Sequence, residues 1–364
     1  EQYIERGLSP YEAESAARCQ FGNRALLRED RRNMQTARSL ETLWRDVRYA
    51  IRQFRLNPLF TIIAVSSLAL GIGANTAVFT LLDQLVLRLL PVENPERLVM
   101  IWPTGPHFGN NIGQRAASYP MYQDFQRRAK AFDFVFCRSD TPSSITIEGA
   151  TERVNAELVS GNFFQALHVG PALGRAFNSQ ADDQIYKGHP SVVLSHQYWL
   201  RRFAADPNVI GRKILVNNYP MEIVGVSAAG FAGMDPANSP DIRVPILMAP
   251  VLTPGHDDLA NRRSQWIEIF ARLKPGYTVP FARASLQPLF HQILQQEIVE
   301  PALRHISQYN RDRFLKRTAL IETAANGYSN LRRQYSTALI VLMGMAGLIL
   351  LIACSNVASL LIAR

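Results

Sequence analysis

Two long stretches of this chain carry no formal charge. Leu59–Leu82 contains no Asp, Glu, Lys or Arg over 24 residues, and Gln334–Ala363 contains none over 30. Each exceeds the ~20 apolar residues that a helix needs to cross the hydrocarbon core of a bilayer. The pattern predicts two transmembrane helices, at residues 59–82 and 337–363. The lipid bilayer is therefore a partner of the chain, and a simple soluble protein is excluded. The first run starts too far from the N-terminus, and is too long, for a cleavable signal peptide.

The flanking segments read differently. Residues 1–58 are predicted to be a helical segment in water. Ser9-Pro10-Tyr11-Glu12 has the form of a capping box with proline at the first helical position, and Gly22 suits a C-terminal stop. A second helix is expected over Ser39–Arg55. Its residues Leu40, Leu43, Trp44, Val47, Ile51 and Phe54 recur at steps of three and four, which makes one apolar stripe. Arg45, Arg48, Arg52 and Arg55 form the flank. Such a basic amphipathic helix suits a membrane surface; a helix packed on a partner protein fits the same pattern, and the two are compatible.

Between the spans the pattern alternates. Strands are expected at Leu98–Trp102, Ser144–Glu148, Val154–Val159, Ser191–Leu194 and Trp266–Leu273, and helices at Tyr119–Lys130, Gln197–Phe203 and Val279–Ile298. Gly211–Val216 and Met221–Val226 flank Asn217-Asn218, a hairpin signal because Asn tolerates positive φ. The order suggests two αβ halves, about 90–160 and 262–330, separated by a β-rich inserted subdomain at about 165–250. The fold class expected is thus an α+β membrane protein. Two transmembrane helices flank an extracytoplasmic domain at residues 83–336, with cytoplasmic helices ahead of them.

Charge sets the orientation. The net charge is +9, from 39 basic and 30 acidic residues. Eleven Arg precede the first span, and only Arg332 and Arg333 stand at the outer end of the second. Basic flanks stay cytoplasmic, so the N-terminus is expected inside and residues 83–336 outside, at a bacterial inner (plasma) membrane. The basic residues of 83–336 are spread among acidic ones, whereas a nucleic-acid groove concentrates them in a patch; no nucleic-acid partner is expected. Cys19, Cys137 and Cys354 fall before, between and inside the spans, so no intrachain disulfide is expected. The chain opens on Glu1 and stops at Arg364 straight after a span, which reads as a fragment at both ends.

The chemistry-bearing motifs are missing. No Lys follows a Gly, so there is no Walker A phosphate loop. His189 and His196 have no partner at metal-ligand spacing, and neither G-x-S-x-G nor H-E-x-x-H occurs. Ser160-Gly161-Asn162, Ser195-His196 and Asp182-Asp183 read as turn, cap and loop groups. No catalytic, cofactor-binding or metal-binding residue is assigned, and no enzyme activity is expected of the chain itself. Polar groups inside the spans stand out instead: Asn75 and Thr76 in the first, Ser355 and Asn356 in the second. They are accompanied by Ser67, Gly71 and Ala74, and by Gly344 and Gly347. Amides in hydrocarbon must find partners on other helices, either as packing groups or along a moving seam. That many polar groups implies helices beyond these two.

Several stretches resemble a known family. Asn57-Pro58-Leu59-Phe60-Thr61, followed by Leu68 to Phe79 (LALGIGANTAVF), is similar to the first span of MacB/FtsX-type ABC-transporter permeases. Ala353 to Arg364 (ACSNVASLLIAR) is similar to their second. Val159 to Phe164, Gly174 to Phe177, Val193 to Ser195 with Trp199, and Glu222 to Val226 resemble the MacB-like periplasmic core domain. Gly7 to Pro10 and Phe21 to Asn23, ahead of the basic helix, are similar to duplicated orphan permeases first noted in acidobacteria. The resemblance implies a four-helix permease unit with a large outer domain between helices one and two, a permease dimer, and a separate cytoplasmic ATPase subunit. It implies a transporter that relays ATPase-driven motion across the membrane, for efflux or export. A two-span sensor with an extracytoplasmic sensing domain has the same topology and is the alternative; a membrane-anchored hydrolase lacks any nucleophile–base pair.

Overall fold

The computed structural model describes residues 58–83, 87–255, 257–303 and 305–362, together with positions 44, 45, 48, 52, 55 and 56. The Ser9–Glu12 box, Gly22, Cys19 and most of the Ser39–Arg55 helix lie outside the described residues. By internal contacts the chain divides into two units: Glu1–Phe79 with Val341–Arg364, and Thr80–Ile340.

The first unit holds most of two long helices, α1 (Pro58–Leu82) and, at the other end of the chain, Asn330–Ile362. Both are long and apolar enough to cross a membrane. Their outer faces are apolar and open: Leu70 is 76% exposed and Leu351 69%. Where the helices meet, Gly71 stands against Leu350. A Cβ on Gly71 would come within 3.0 Å of the Leu350 side chain, so the helix backbones approach at that glycine. Trp44, Arg45, Arg48, Arg52 and Arg55 all have helical backbone and are exposed.

The second unit is α+β. Its strands are β1 (Leu98–Thr104), β2 (Asn110–Asn111), β3 (Phe132–Ile147), β4 (Ala150–Val159), β5 (Pro171–Gly174), β6 (Ser191–Leu194), β7 (Lys213–Val216), β8 (Tyr219–Ser227), β9 (Ile242–Pro245), β10 (Ser264–Gln265), β11 (Glu268–Leu273) and β12 (Thr318–Thr323). The helices used below are α2 (Tyr119–Arg128), α3 (Phe163–Leu167), α4 (Ser179–Asp182), α5 (His196–Phe203), α6 (Ala249–Leu252), α7 (Val279–Glu297) and α8 (Gln308–Leu315), and the terminal long helix is α9.

One sheet runs β12-β1-β11-β3-β4-β9-β6-β8-β5 without a break, and β7 bridges β3 and β8. Both of its faces are covered at the centre, and successive residues divide between them. Val99, Ile101, Val135, Cys137, Ile269 and Ala271 join α2 and α7 residues such as Phe125 and Phe290 in one core. Leu98, Met100, Trp102, Phe136 and Phe270 join Phe163, Phe164 and Phe231 in the other. The edge strand β12 is shielded by α7: Gln287 donates to the Ala319 carbonyl at 2.6 Å and Arg283 to the Ile321 carbonyl at 2.8 Å. Side-chain caps of this kind blunt an exposed sheet edge.

Several predicted elements recur within a residue or two. Asn217 and Asn218 have φ of 47° and 66° at the β7–β8 turn, and Ser191–Leu194 is β6. β3 is much longer than expected: it starts at Phe132, and its 16 residues take in Arg138, Asp140 and Pro142. Each of these is paired across to β4, with Pro142 opposite Asn155.

Both chain segments that continue into the long helices leave the sheet at one end. Val99 pairs with Thr323, Leu98 with Arg272, and Phe132 with Leu273. Nearby, the Leu90 amide donates to the Ala325 carbonyl at 2.9 Å and the Asn326 amide group to the Leu87 carbonyl at 2.7 Å. We call this end the base. The β3–β4 turn at Glu148-Gly149 is the opposite tip, roughly 50 Å away at the usual strand rise.

Candidate functional site

The most concentrated chemistry in the outer domain is a row of charges buried across four strands. Glu268 on β11 stands opposite Arg138 on β3, and Glu157 on β4 stands opposite Arg243 on β9. Arg138 Nη2 lies 2.6 Å from Glu268 Oε2, and its Nη1 is 3.0 Å from both Glu157 Oε1 and Asp140 Oδ1. Arg243 Nε donates to Glu157 Oε2 at 2.8 Å. Glu157, Arg138 and Arg243 are almost wholly buried. Charges so removed from water persist only when paired and hydrogen-bonded.

The far end of this ladder is aromatic. The Arg243 guanidinium sits 4.9 Å from the Phe231 ring centre, and 5.7 and 5.8 Å from Phe163 and Phe164. Its two Nη atoms have no hydrogen-bond acceptor among the described residues, so the ring faces supply the attraction there. Gly233 makes room: a Cβ there would lie 2.6 Å from Arg243 Nη2. The near end opens into a cleft of about 370 Å³, on whose walls are Asp140, Glu268, Trp266, Leu158 and Ala249.

Burial pushes the Glu268 carboxyl up to about 7, against the pull of Arg138. Burial likewise opposes the charge on Arg138, but Glu268, Glu157 and Asp140 together hold it above its ordinary range. Arg243 has only Glu157 to offset its burial and Arg138 repelling it, so its value falls. The row is a cross-linker of the sheet, joining β11 and β3 to β4 and β9. It holds no nucleophile with an adjacent base.

A third buried arginine fastens the base. Arg272 Nε donates to the Ala166 carbonyl at 2.7 Å, and its Nη1 to the Glu93 carbonyl at 2.7 Å. One side chain thus ties β11 to the end of α3 and to the segment that precedes β1.

The residues singled out in the sequence are dispersed. Asn75 Nδ2 donates to the Ala346 carbonyl at 3.2 Å, so the first span's amide does meet the second helix, one turn from Gly71. Ser355 and Asn356 are exposed, and Gly73, Gly344 and Gly347 have open space where a side chain would stand. In the outer domain, Ser160 Oγ accepts from the Cys137 amide and donates to Asn162 Oδ1. Ser195 caps α5 by accepting from the Tyr198 amide. Asp182 pairs with Arg175 at 2.7 Å, the Gly161 amide donates to Asp183 at 3.3 Å, and His189 Nε2 accepts from the Ile185 amide at 2.7 Å. Glu157 and Arg243 are 86 residues apart, and nothing local marks them as partners.

An α+β domain set between two helices apolar enough to span a membrane is a domain carried on candidate membrane helices. The family is narrower: residues 61–289 match the family described as the MacB-like periplasmic core domain, and the chain belongs to it. The family forms the outer domain of MacB/FtsX-like ABC-transporter permeases. Among solved structures, the periplasmic region of MacB from Actinobacillus actinomycetemcomitans is 13% identical with a TM-score of 0.43, over 63% of this chain and 89% of that one. A domain of a putative permease protein from Porphyromonas gingivalis is 14% identical with a TM-score of 0.43, over 67% and 98%. The extracellular domain of the noncanonic ABC-type transporter YknZ from Gram-positive bacteria is 10% identical with a TM-score of 0.41, over 56% and 97%. No curated protein matches.

Proposed function

We propose that the chain is a permease subunit that relays motion, driven by a separate cytoplasmic ATPase, through its two spans to the outer domain, in the direction of export. It works as a permease dimer with its N-terminus in the cytoplasm and residues 83–336 outside. Residues 1–58 form the cytoplasmic segment, and 59–82 and 337–363 the spans. The outer domain divides into an αβ part, about 90–160 and 262–330, and a β-rich part, about 165–250.

One observation carries the reading. The strands next in sequence to the two spans, β1 and β12, are adjacent and antiparallel, paired from Val99–Thr323 to Thr104–Thr318. A displacement of one span against the other would act as a shear on that pair and pass into the sheet through β11. The basic helix at Arg45, Arg48, Arg52 and Arg55 suits the cytoplasmic side of the same relay. Each Arg near an anionic surface contributes about 1 kcal/mol, which would resist tilting of the first span.

The test is reconstitution in proteoliposomes. The chain alone should neither bind nor hydrolyse ATP; with its ATPase subunit, hydrolysis should drive transport. Changing the four Arg to Gln should lower transport per ATP while insertion stays correct. Saturable ATP binding by the chain alone, or transport unaffected by the four changes, would count against the relay.

A further inference from the structure

The base of the outer domain carries a surface that the charge ladder and the helix contacts do not use. The turn after β11 projects Tyr277, and the first turn of α7 projects Phe281. They are 41% and 53% exposed. Their rings touch edge to face with centroids 4.8 Å apart. Beside them the Lys274 amide donates to the Ala131 carbonyl at 3.1 Å, which joins this turn to the one between α2 and β3. That second turn carries Arg128 and Lys130. Between it and α7 lies a groove of about 380 Å³, with Phe132, Leu286 and Leu289 on its walls and Arg128 and Lys130 at its rim. Pro288 lies inside α7 and brings no backbone donor there. Of the acids at this end, Asp133 is paired with Arg97 and Glu93 with His168, and Glu96 is outnumbered by Arg128, Lys130 and Lys274, so the patch has a positive sign.

Phe132 pairs with Leu273 in the same row of the sheet as Leu98, and Leu98 begins the strand that follows the first span. Only six residues lead from Tyr328, which is buried in the outer domain, to Gln334, where the charge-free run starts. Six residues reach at most about 20 Å. The base is therefore held within a short tether of the membrane, and exposed aromatics with flanking lysines are the side chains that settle at a bilayer's interfacial layer.

We propose that the base is a lipid-facing surface. Tyr277 and Phe281 enter the headgroup layer of the outer leaflet, while Arg128 and Lys130 hold the phosphate of an anionic lipid at the mouth of the groove. This rests on the reading of α1 and α9 as membrane spans. The surface would set the height and tilt of the sheet above the bilayer, so that movement of the spans is resisted at the base and turned into movement of the tip.

The test uses the full chain in nanodiscs of phosphatidylcholine, with and without phosphatidylglycerol. Cys19 and Cys354 are replaced; Cys137 is buried and stays. Single cysteines at Ala284, at Ala150 on the distal hairpin, and at Leu342 in α9 carry an environment-sensitive fluorophore. Nitroxide lipids are the quenchers. Headgroup nitroxide should quench the label at 284 about threefold more than that at 150, because interfacial aromatics hold their segment at headgroup depth. Tyr277→Ser with Phe281→Ser should abolish the difference, and Arg128→Glu with Lys130→Glu should reduce it by about half only in discs containing phosphatidylglycerol, where the anionic charge is present. Equal quenching at 284 and 150 overturns the proposal. An effect of the charge changes that is the same in both lipids overturns the phosphate assignment. Absence of acyl-chain quenching at 342 defeats the membrane reading itself, which separates that failure from failure of the base surface alone.

Discussion

The helix pair and the outer domain solve opposite solvation problems. On the helices many large side chains face outward, and one polar group, Asn75, turns toward a backbone carbonyl on the neighbouring helix. In the outer domain the large apolar side chains fill two cores, one on each face of the sheet. Charges enter that interior with their partners: as an alternating row in which Arg138 and Arg243 each touch a carboxylate, and at Arg272, which donates to backbone carbonyls. The difference teaches what each unit is solvated by. Leu, Ile and Val cost nothing against lipid tails, so the helices need only small residues and a few hydrogen bonds where they meet. In water those side chains must be hidden, and a buried polar group is tolerated only with its partner in place.

The sharpest way to break the comparison is to remove a partner. Arg138→Met would leave Glu157 and Glu268 buried without their shared guanidinium. A cost of about 3–5 kcal/mol is expected, read as a lowered urea midpoint of tryptophan fluorescence for the full chain in detergent. Replacing Glu157 and Arg243 together by Leu and Met should cost much less, since no orphan charge remains. Equal losses in the two experiments would refute the pairing argument.

A second change sets the two solvents directly against each other. Leu348 is exposed near the middle of α9, and Leu200 is exposed on the outer domain. Leu348→Arg should oppose membrane insertion by about 3 kcal/mol, measured as the inserted fraction during translation into microsomes. Leu200→Arg should leave stability within about 0.5 kcal/mol.

The third prediction concerns pH. The folded-state value of Glu268 is raised by burial from 4.5 to about 7. Between those values the native state binds more protons than the unfolded chain, so this group's contribution falls as pH rises through the window and stays low above it. At 1.36 kcal/mol per unit, and with the side chain 18% exposed, the change is about 2–3 kcal/mol. Glu268→Gln should therefore flatten part of the stability loss between pH 5 and 8. Glu297, also raised to about 7 by burial, keeps part of the rest, and burial raises Asp140 and Asp183 as well. A variant whose pH profile matches the parent's would show that Glu268 does not titrate there.

The smallest effect belongs to the helix pair. Asn75→Leu removes the bond to the Ala346 carbonyl, and interhelical hydrogen bonds in membranes average about 0.6 kcal/mol. Steric trapping in bicelles can resolve this. A loss as large as that of Arg138→Met would mean that the helix seam is as dry and as dependent on polar pairing as the sheet.

The sequence by itself determined what depends on composition or short range. The two spans follow from the absence of charge over lengths that only a membrane helix uses. The Asn217-Asn218 hairpin follows from positive φ at adjacent asparagines, and the start of α7 from Thr278 with a proline close behind. The family likeness was also legible, because its motifs are contiguous. The tertiary structure decided everything that depends on distant pairing. β3 could not be read whole because Arg138, Asp140 and Pro142 break the apolar alternation; they become strand residues only when β4 and β11 supply partners. β9 is four residues long and buried throughout, so it shows no period of two. The ladder joins residues as far apart in sequence as Arg138 and Glu268, and a charged side chain carries no mark of which distant strand will neutralise it. Local pattern reports how a residue meets its solvent; only the folded sheet decides which residue replaces that solvent.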